Sequence, residues 1–218
     1  MKRITVIIVD DHQIFREGFK LLLSRFPFVE LAGEAADGGE FLALLEQQVP
    51  DIVFMDISMP GMNGIEATKI AMERREKLKI IALTTFLEED YVEQMILAGV
   101  EGYMLKNSDL HEFEQAIKRV YAGGNFFSKE ILTVLLGNIK KFRKRKTIRG
   151  DPEIFTPKET EILRLICKGL NNEQIAEVAC ISVKTVEKYK SSLFQKTGVH
   201  NTVNMVIWAF RNQLVDLL

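Results

Sequence analysis

Asp51-Ile52-Val53-Phe54-Met55-Asp56-Ile57-Ser58-Met59-Pro60-Gly61-Met62-Asn63-Gly64 decides how the chain is read. Residues 52–55 form a short apolar run of the kind that a parallel strand buries on both faces. The run stops at a charge, Asp56. Pro60, Gly61, Asn63 and Gly64 then break the chain into a loop before helical spacing resumes. A carboxylate at the carboxyl end of a buried parallel strand lies where open α/β sheets bind ligands. It can equally just end a strand or cap a helix, and this stretch alone leaves both readings standing.

Working outward, the first half of the chain alternates. Strand patterns at 4–9, 31–36, 51–56, 79–84 and 102–105 interleave with helical spacing at 12–25, 39–48, 65–76, 88–98 and 110–121. Five strands alternating with five helices predict an α/β domain: a five-stranded, doubly wound parallel sheet with helices on both faces. Gly123-Gly124-Asn125 ends the alternation. Ile131, Leu135, Leu136 and Ile139 then suggest one linker helix at 128–142, with Ser128 as its N-cap. The expected organisation is a first domain at 1–122, a linker at 123–152 and an all-helical domain at 153–218.

Composition bounds the function. The chain has 218 residues, 47% hydrophobic and 27% charged, enough for two small cores. No apolar run is long enough to span a bilayer. Met1-Lys2-Arg3 leads straight into a strand, with no secretory leader pattern, so the expected location is the cytoplasm. Cys167 and Cys180 fit no metal spacing and read as small hydrophobes. The net charge of −1 hides an asymmetry: residues 1–139 carry 14 basic and 22 acidic side chains, residues 140–218 carry 15 and 8. A basic second half suits a polyanionic partner. Part of the excess is a run at Lys140, Lys141, Arg143, Lys144, Arg145, Lys146 and Arg149, which also reads as a solvated linker.

The strand ends carry the chemistry of the first half. Strand one ends in Asp10-Asp11 and strand three in Asp56. Strand four ends in Thr84 and strand five in Lys106. In a parallel sheet the first and third of these strands lie side by side. Three converging carboxylates make a hard oxygen site suited to Mg²⁺. A divalent cation, a nucleophilic carboxylate, a hydroxyl and an ammonium together fit formation and stabilisation of an aspartyl phosphate.

With Val9-Asp10-Asp11-His12, Met55-Asp56-Ile57-Ser58-Met59-Pro60-Gly61, Thr84 and Gly102-Tyr103-Met104-Leu105-Lys106, residues 2–122 resemble the flavodoxin-like receiver domain of two-component response regulators. The resemblance implies that Asp56 accepts phosphate from a histidine kinase. It implies that Asp11 and Asp56 ligate Mg²⁺ with the Ser58 backbone carbonyl, and that Asp10 acts through water. Thr84 would bond the phosphoryl group, Lys106 would pair with it, and Tyr103 would be an aromatic switch that swings inward as Thr84 moves. Asn107 stands where many receivers have a proline in a cis bond, so the Lys106–Asn107 geometry stays open. His12 reads as structural or hydrogen-bonding.

In the second half, Thr156-Pro157-Lys158-Glu159 reads as a capping box, and Asn171-Asn172-Glu173-Gln174 as a second capping sequence. Cys180-Ile181-Ser182 reads as a tight turn into a helix at 183–197, and a fourth helix is expected at 201–211. Two helices joined by a short turn predict a helix-turn-helix. On its second helix Val183, Val186 and Leu193 are expected to pack inward, and Lys184, Glu187, Lys188 and Ser191 to face outward. Residues 155–217 resemble the LuxR-type helix-turn-helix, through Phe155-Thr156-Pro157-Lys158-Glu159, Gly169-Leu170-Asn171-Asn172, Gln174-Ile175-Ala176 and Ile181-Ser182-Val183-Lys184-Thr185-Val186. The order of the two halves is that of NarL/FixJ-type transcriptional regulators.

By that likeness Glu187, Lys188 and Ser191 read bases, and Lys184, Thr185, Lys190 and Lys196 contact phosphates. The implied partners are a sensor histidine kinase, double-stranded promoter DNA and, on phosphorylation, a second copy of the chain. Val203, Val206, Ile207 and Phe210 are candidate dimer contacts. Two other readings compete: a receiver whose helical domain binds protein, and an aspartyl-phosphate phosphohydrolase. The haloacid dehalogenase type of the latter needs an Asp-x-Asp after strand one, where this chain has adjacent Asp10-Asp11.

Overall fold

The computed structural model of the chain describes residues 3–131 and 155–214, apart from positions 76, 86, 200 and 213. Its first domain is a parallel sheet of β1 (Ile4–Val9), β2 (Val29–Ala35), β3 (Ile52–Asp56), β4 (Ile80–Thr84), β5 (Gly102–Leu105) and β6 (Phe126–Phe127). The strands lie in the order β2-β1-β3-β4-β5-β6. Between them run α1 (Gln13–Leu23), α2 (Gly38–Gln47), α3 (Gly64–Arg74), α4 (Glu89–Ala98) and α5 (Leu110–Tyr121). The sheet has six strands where the pattern predicts five. The sixth, β6, pairs Phe126 with Gly102 and Phe127 with Tyr103. Two residues are too few to show a period in sequence.

Alternation along each strand builds two cores. Val6, Ile8, Ile52 and Phe54 face α1 and α5, where Phe19 stands edge-on to both Phe54 and Phe113, 4.9 and 5.2 Å between centroids. Ile7, Val9, Val53 and Met55 face α2, α3 and α4. Strands buried on both faces need apolar residues at nearly every position, as in the 52–55 run.

The chain order reverses between β2 and β3 on either side of β1, which opens a crevice above their carboxyl ends. Register then sets what faces it. Val9 pairs with Met55, Asp56 with Leu83 and Thr84 with Leu105. The residues at or just past those positions, Asp10, Asp56, Thr84 and Lys106, therefore share one edge.

The second domain packs α6 (Pro157–Cys167), α7 (Asn172–Val178), α8 (Val183–Thr197) and α9 (Thr202–Arg211) around Ile162, Ile166, Ile175, Val186, Leu193 and Met205. Both capping boxes form, Thr156 with Glu159 and Asn171 with Gln174. The turn between α7 and α8 passes through Cys180 at φ +53°, and Ser182 caps α8 by accepting from the Thr185 amide. One expectation fails. Val183 is 39% exposed instead of packed inward, because the first helical position of α8 lies beyond the rim of the small core. The linker helix expected at 128–142 lies mostly outside the described residues, as does the basic run from Lys140 to Arg149.

The loop after Asp56 folds back tightly. The Gly64 amide donates to the Ile57 carbonyl at 3.0 Å, and Asn63 caps α3 by accepting from the Glu66 amide. A Cβ at position 64 would overlap the Asp56 carbonyl oxygen itself. Backbone cannot give way as a flexible side chain can. Gly64→Ala is therefore expected to destabilise the first domain by about 1–3 kcal/mol, measured by denaturant unfolding. An unchanged midpoint would contradict the close approach.

Candidate functional site

At the carboxyl edge of the sheet, Asp10 is fully buried and Asp56 is 3% exposed. Buried carboxylates this close require a cation. Lys106 supplies one: its Nζ lies 2.7 Å from Asp10 Oδ2 and 3.1 Å from Asp56 Oδ1. The same ammonium sits 4.9 Å above the Phe15 ring of α1. The Ile57 amide donates to Asp56 Oδ1 at 2.9 Å. Burial pushes the Asp56 carboxyl up to about 6, with Lys106 pulling it down and Asp10 pushing it up.

Candidate donor atoms of Asp10, Asp11, His12 and Asp56 all lie within 4.8 Å of one another. Asp56 Oδ2 and Asp11 Oδ1 are buried without a hydrogen bond, although the His12 ring Nδ1 stands 2.9 Å from the latter. Underused buried oxygens in a cluster of carboxylates fit a hard divalent cation. Ser58 lies exposed in the loop just past β3.

Thr84 is buried at the end of β4. Tyr103 is fully buried, so its ring already lies inside. Burial pushes its phenol above the ordinary value. The Lys106–Asn107 peptide is trans. Sequence reading missed two supports of the acidic pocket: the Phe15 ring under Lys106, and Arg16, whose guanidinium donates to the Asp10 carbonyl at 2.6 Å. Both occupy α1, where Phe15 reads as core and Arg16 as surface. Only the fold brings them to the strand ends.

On α8, Lys184, Glu187, Lys188 and Ser191 are exposed and Thr185 is half-buried. The other two predicted contacts are engaged elsewhere. Lys190 is buried, its ammonium 2.9 Å from the Gly123 carbonyl of the first domain and 3.2 Å from Asn172 Oδ1. Lys196 Nζ is 2.6 Å from Glu159 Oε2. Glu159 also accepts from Ser192 Oγ at 2.7 Å and from the Thr156 amide at 2.8 Å. Its carboxylate thus ties α8 to the start of α6. No helix among the described residues is long and apolar enough to cross a membrane.

An acidic pocket with a lysine and a hydroxyl at the edge of a parallel α/β sheet, followed by a helix-turn-helix, defines the receiver-plus-DNA-binding-domain class. Comparison with known proteins agrees. Residues 6–118 match the response regulator receiver domain, and residues 153–209 match the bacterial regulatory proteins of the luxR family. The chain is 33% identical to the transcriptional regulatory protein DegU of Brevibacillus brevis, over 99% of this chain and 96% of that one. It is 34% identical to the response regulator VraR of Staphylococcus aureus, over 98% and 99%. A solved structure of the RcsB response regulator of Salmonella typhimurium aligns with TM-score 0.60 at 27% identity, covering 96% of this chain and 99% of that one. RcsB has also been solved in complex with DNA. The chain belongs to the response regulators that carry a LuxR-type domain, and it is a transcription regulator.

Glu159 makes the second domain sensitive to acid. Burial would raise its pKa, but the bonds from Lys196, Ser192 and Thr156 prevail and bring it down to about 2 from 4.5. A carboxyl depressed on folding contributes stability above its unfolded value and loses it as pH falls towards its folded value. The helical domain should therefore lose stability between about pH 4.5 and 2. Glu159→Gln should flatten that loss. Thermal melting followed by fluorescence of Trp208, the only tryptophan, checks it. Parallel pH profiles for both proteins would contradict it.

Proposed function

We propose that this chain is a phosphorylation-controlled DNA-binding regulator in which Asp56 takes a phosphoryl group from a histidine kinase. The observation that carries the reading is a buried Asp56 held on one oxygen by Lys106 and the Ile57 amide, with its other oxygen unbonded beside Asp10 and Asp11. In the transfer an Asp56 oxygen bonds to phosphorus as the phosphorus–nitrogen bond of the donor phosphohistidine breaks, and the imidazole leaves with the electron pair. Lys106, already at Asp56, remains as counter-ion to the new phosphoryl oxygens. Thr84 donates its hydroxyl to them. Asp10, Asp11, Asp56 and the Ser58 carbonyl are the groups that would hold Mg²⁺, which supplies charge neutralisation at the transferring group. The site accepts phosphate and serves no metabolic turnover. A chain working between kinase and chromosome belongs in the cytoplasm.

The helical domain reads DNA with α8. Glu187, Lys188 and Ser191 face base edges, and Lys184, Thr185, Lys190 and Lys196 the phosphates. The exposure of five of these seven supports the reading, as does the relative RcsB, solved on DNA. One helix-turn-helix reads too few base pairs for genome-scale specificity, so a phosphorylation-driven dimer doubles the site. Of the four candidate apolar contacts, Val206 packs on the helical core and Ile207 on the first domain. The side chains of Val203 and Phe210 lie outside the described residues.

Two measurements test these roles. Asp56→Asn should take up no phosphate from acetyl phosphate by intact-mass spectrometry, and one stable phosphate on the variant would refute the assignment. Lys184→Ala should weaken binding to every sequence and reduce the log–log salt slope by about 0.9, whereas Lys188→Ala should also alter sequence preference. Identical effects of both changes on selected and random duplexes would refute base reading by Lys188.

A further inference from the structure

Lys106 carries its charge at the end of a flexible hydrocarbon stem. Such a stem reaches many places, yet phosphoryl transfer needs the ammonium in one. Asp10 Oδ2 lies 2.7 Å from the Lys106 ammonium and Asp56 Oδ1 lies 3.1 Å from it. The Phe15 ring lies beneath it, with the centroid 4.9 Å away. The carboxylates hold the ammonium by charge. The ring attracts it through its negative face and adds no net charge to the pocket. The Lys106 side chain is only 11% exposed, and a cation shielded from water gains more from a ring than an exposed one does.

Phe15 is itself fixed from the core. It stands in the first turn of α1, which begins just past the Asp10-Asp11 pair. Its ring stacks on Phe19, 5.7 Å between centroids and 21° between planes. Phe19 in turn stands edge-on to Phe54 and Phe113. Phe54 shares β3 with Asp56, and Phe113 belongs to α5, which follows Lys106 in the chain. Phe19, Phe54 and Phe113 are buried, and Phe15 is the half-buried outer end of the row. The row of rings therefore ties the seat of the ammonium to the strand that carries Asp56. A ring held this way keeps its place when the charges above it change.

We propose that Phe15 is a positioning residue for phosphoryl transfer, its ring face holding the Lys106 ammonium at the carboxylate edge before and after Asp56 is modified. This deepens the reading of Asp56 as phosphoacceptor and rests on it. Before transfer Asp10, Asp56 and the ring share the ammonium. When the unbonded Asp56 oxygen takes phosphorus, the carboxylate becomes an acyl phosphate and its other oxygen a neutral carbonyl. Lys106 then turns towards the phosphoryl oxygens, and Asp10 and the ring are the holds that remain. A further carboxylate in place of the ring would draw Lys106 away from those oxygens and repel an anionic donor. An aromatic face does neither.

The test uses the full chain, with Phe15→Leu and a series in which Phe15 is replaced by phenylalanines bearing increasing numbers of ring fluorines. Leucine keeps an apolar contact with Phe19 but removes the ring. Fluorines withdraw negative charge from the ring face and leave its shape nearly unchanged. Thermal melts confirm that each protein is folded. The rate of phosphate uptake from acetyl phosphate with Mg²⁺, followed by intact mass, should fall about three- to tenfold in Phe15→Leu, the range a shielded cation–ring contact allows. It should fall stepwise along the fluorinated series. The Lys106 ε-methylene NMR signals, assigned by their loss in Lys106→Arg, should lie upfield of the other lysines, as protons over a ring face do, and return towards them in Phe15→Leu. A folded Phe15→Leu at the parent rate overturns the proposal. So does a rate that falls in Phe15→Leu but stays flat along the fluorinated series, since packing alone would then explain the loss. If the parent chain takes up no phosphate, the reading of Asp56 fails. The NMR arm still decides the seat of the ammonium, with signals released by Phe15→Leu supporting it and unmoved signals rejecting it.

Discussion

The Lys106 ammonium, shared between Asp10 and Asp56, is what lets buried carboxylates occupy one sheet edge. Without a cation two buried carboxylates would not both stay ionised. The upward displacement of Asp56 to about 6 shows burial and the neighbouring Asp10 outweighing the lysine in this state. A phosphoryl group on Asp56 would give Lys106 a partner of greater charge than a carboxylate. The rest of the first domain serves that balance. Strand register aligns the four ends, Gly64 lets the loop close over Asp56, and Phe15 and Arg16 brace the pocket from α1.

From the pocket to the helical domain the path is short. β4 ends at Thr84, α4 follows, and near the far end of α4 the Ile96 carbonyl accepts from the side-chain amides of Asn201 and Asn204. Tyr103 packs in the core between these points. A two-state element biased from both ends suffices for regulation.

Most of the fold was legible because local signals agreed with one another. The buried run at 52–55, the alternation of strand and helix periods, and the capping residues Thr156, Asn171 and Ser182 each mark a boundary through backbone chemistry. The strand-end residues were legible because parallel topology dictates where strand ends meet. What stayed hidden depends on contacts between distant segments. β6 is too short for a pattern. Val183 has the chemistry of a core residue but sits past the rim of its domain. Lys190 reads as a surface cation, and nothing local says that its partner is a glycine carbonyl 67 residues away. Asn201 stands at the start of the helix expected at 201–211, and its bonds to the Ile96 and Val100 carbonyls appear only once the domains are packed together.

The central claim, that chemistry at Asp56 governs which DNA the helical domain holds, is tested most directly by selection. A pool of random duplexes is retained on the full chain with and without acetyl phosphate, with Asp56→Asn carried in parallel, and the retained DNA is sequenced. The phosphorylated parent chain should enrich a two-fold motif with half-sites about one helical turn apart, while the unphosphorylated chain and the variant enrich little. Equal enrichment of one motif by all three would contradict the account.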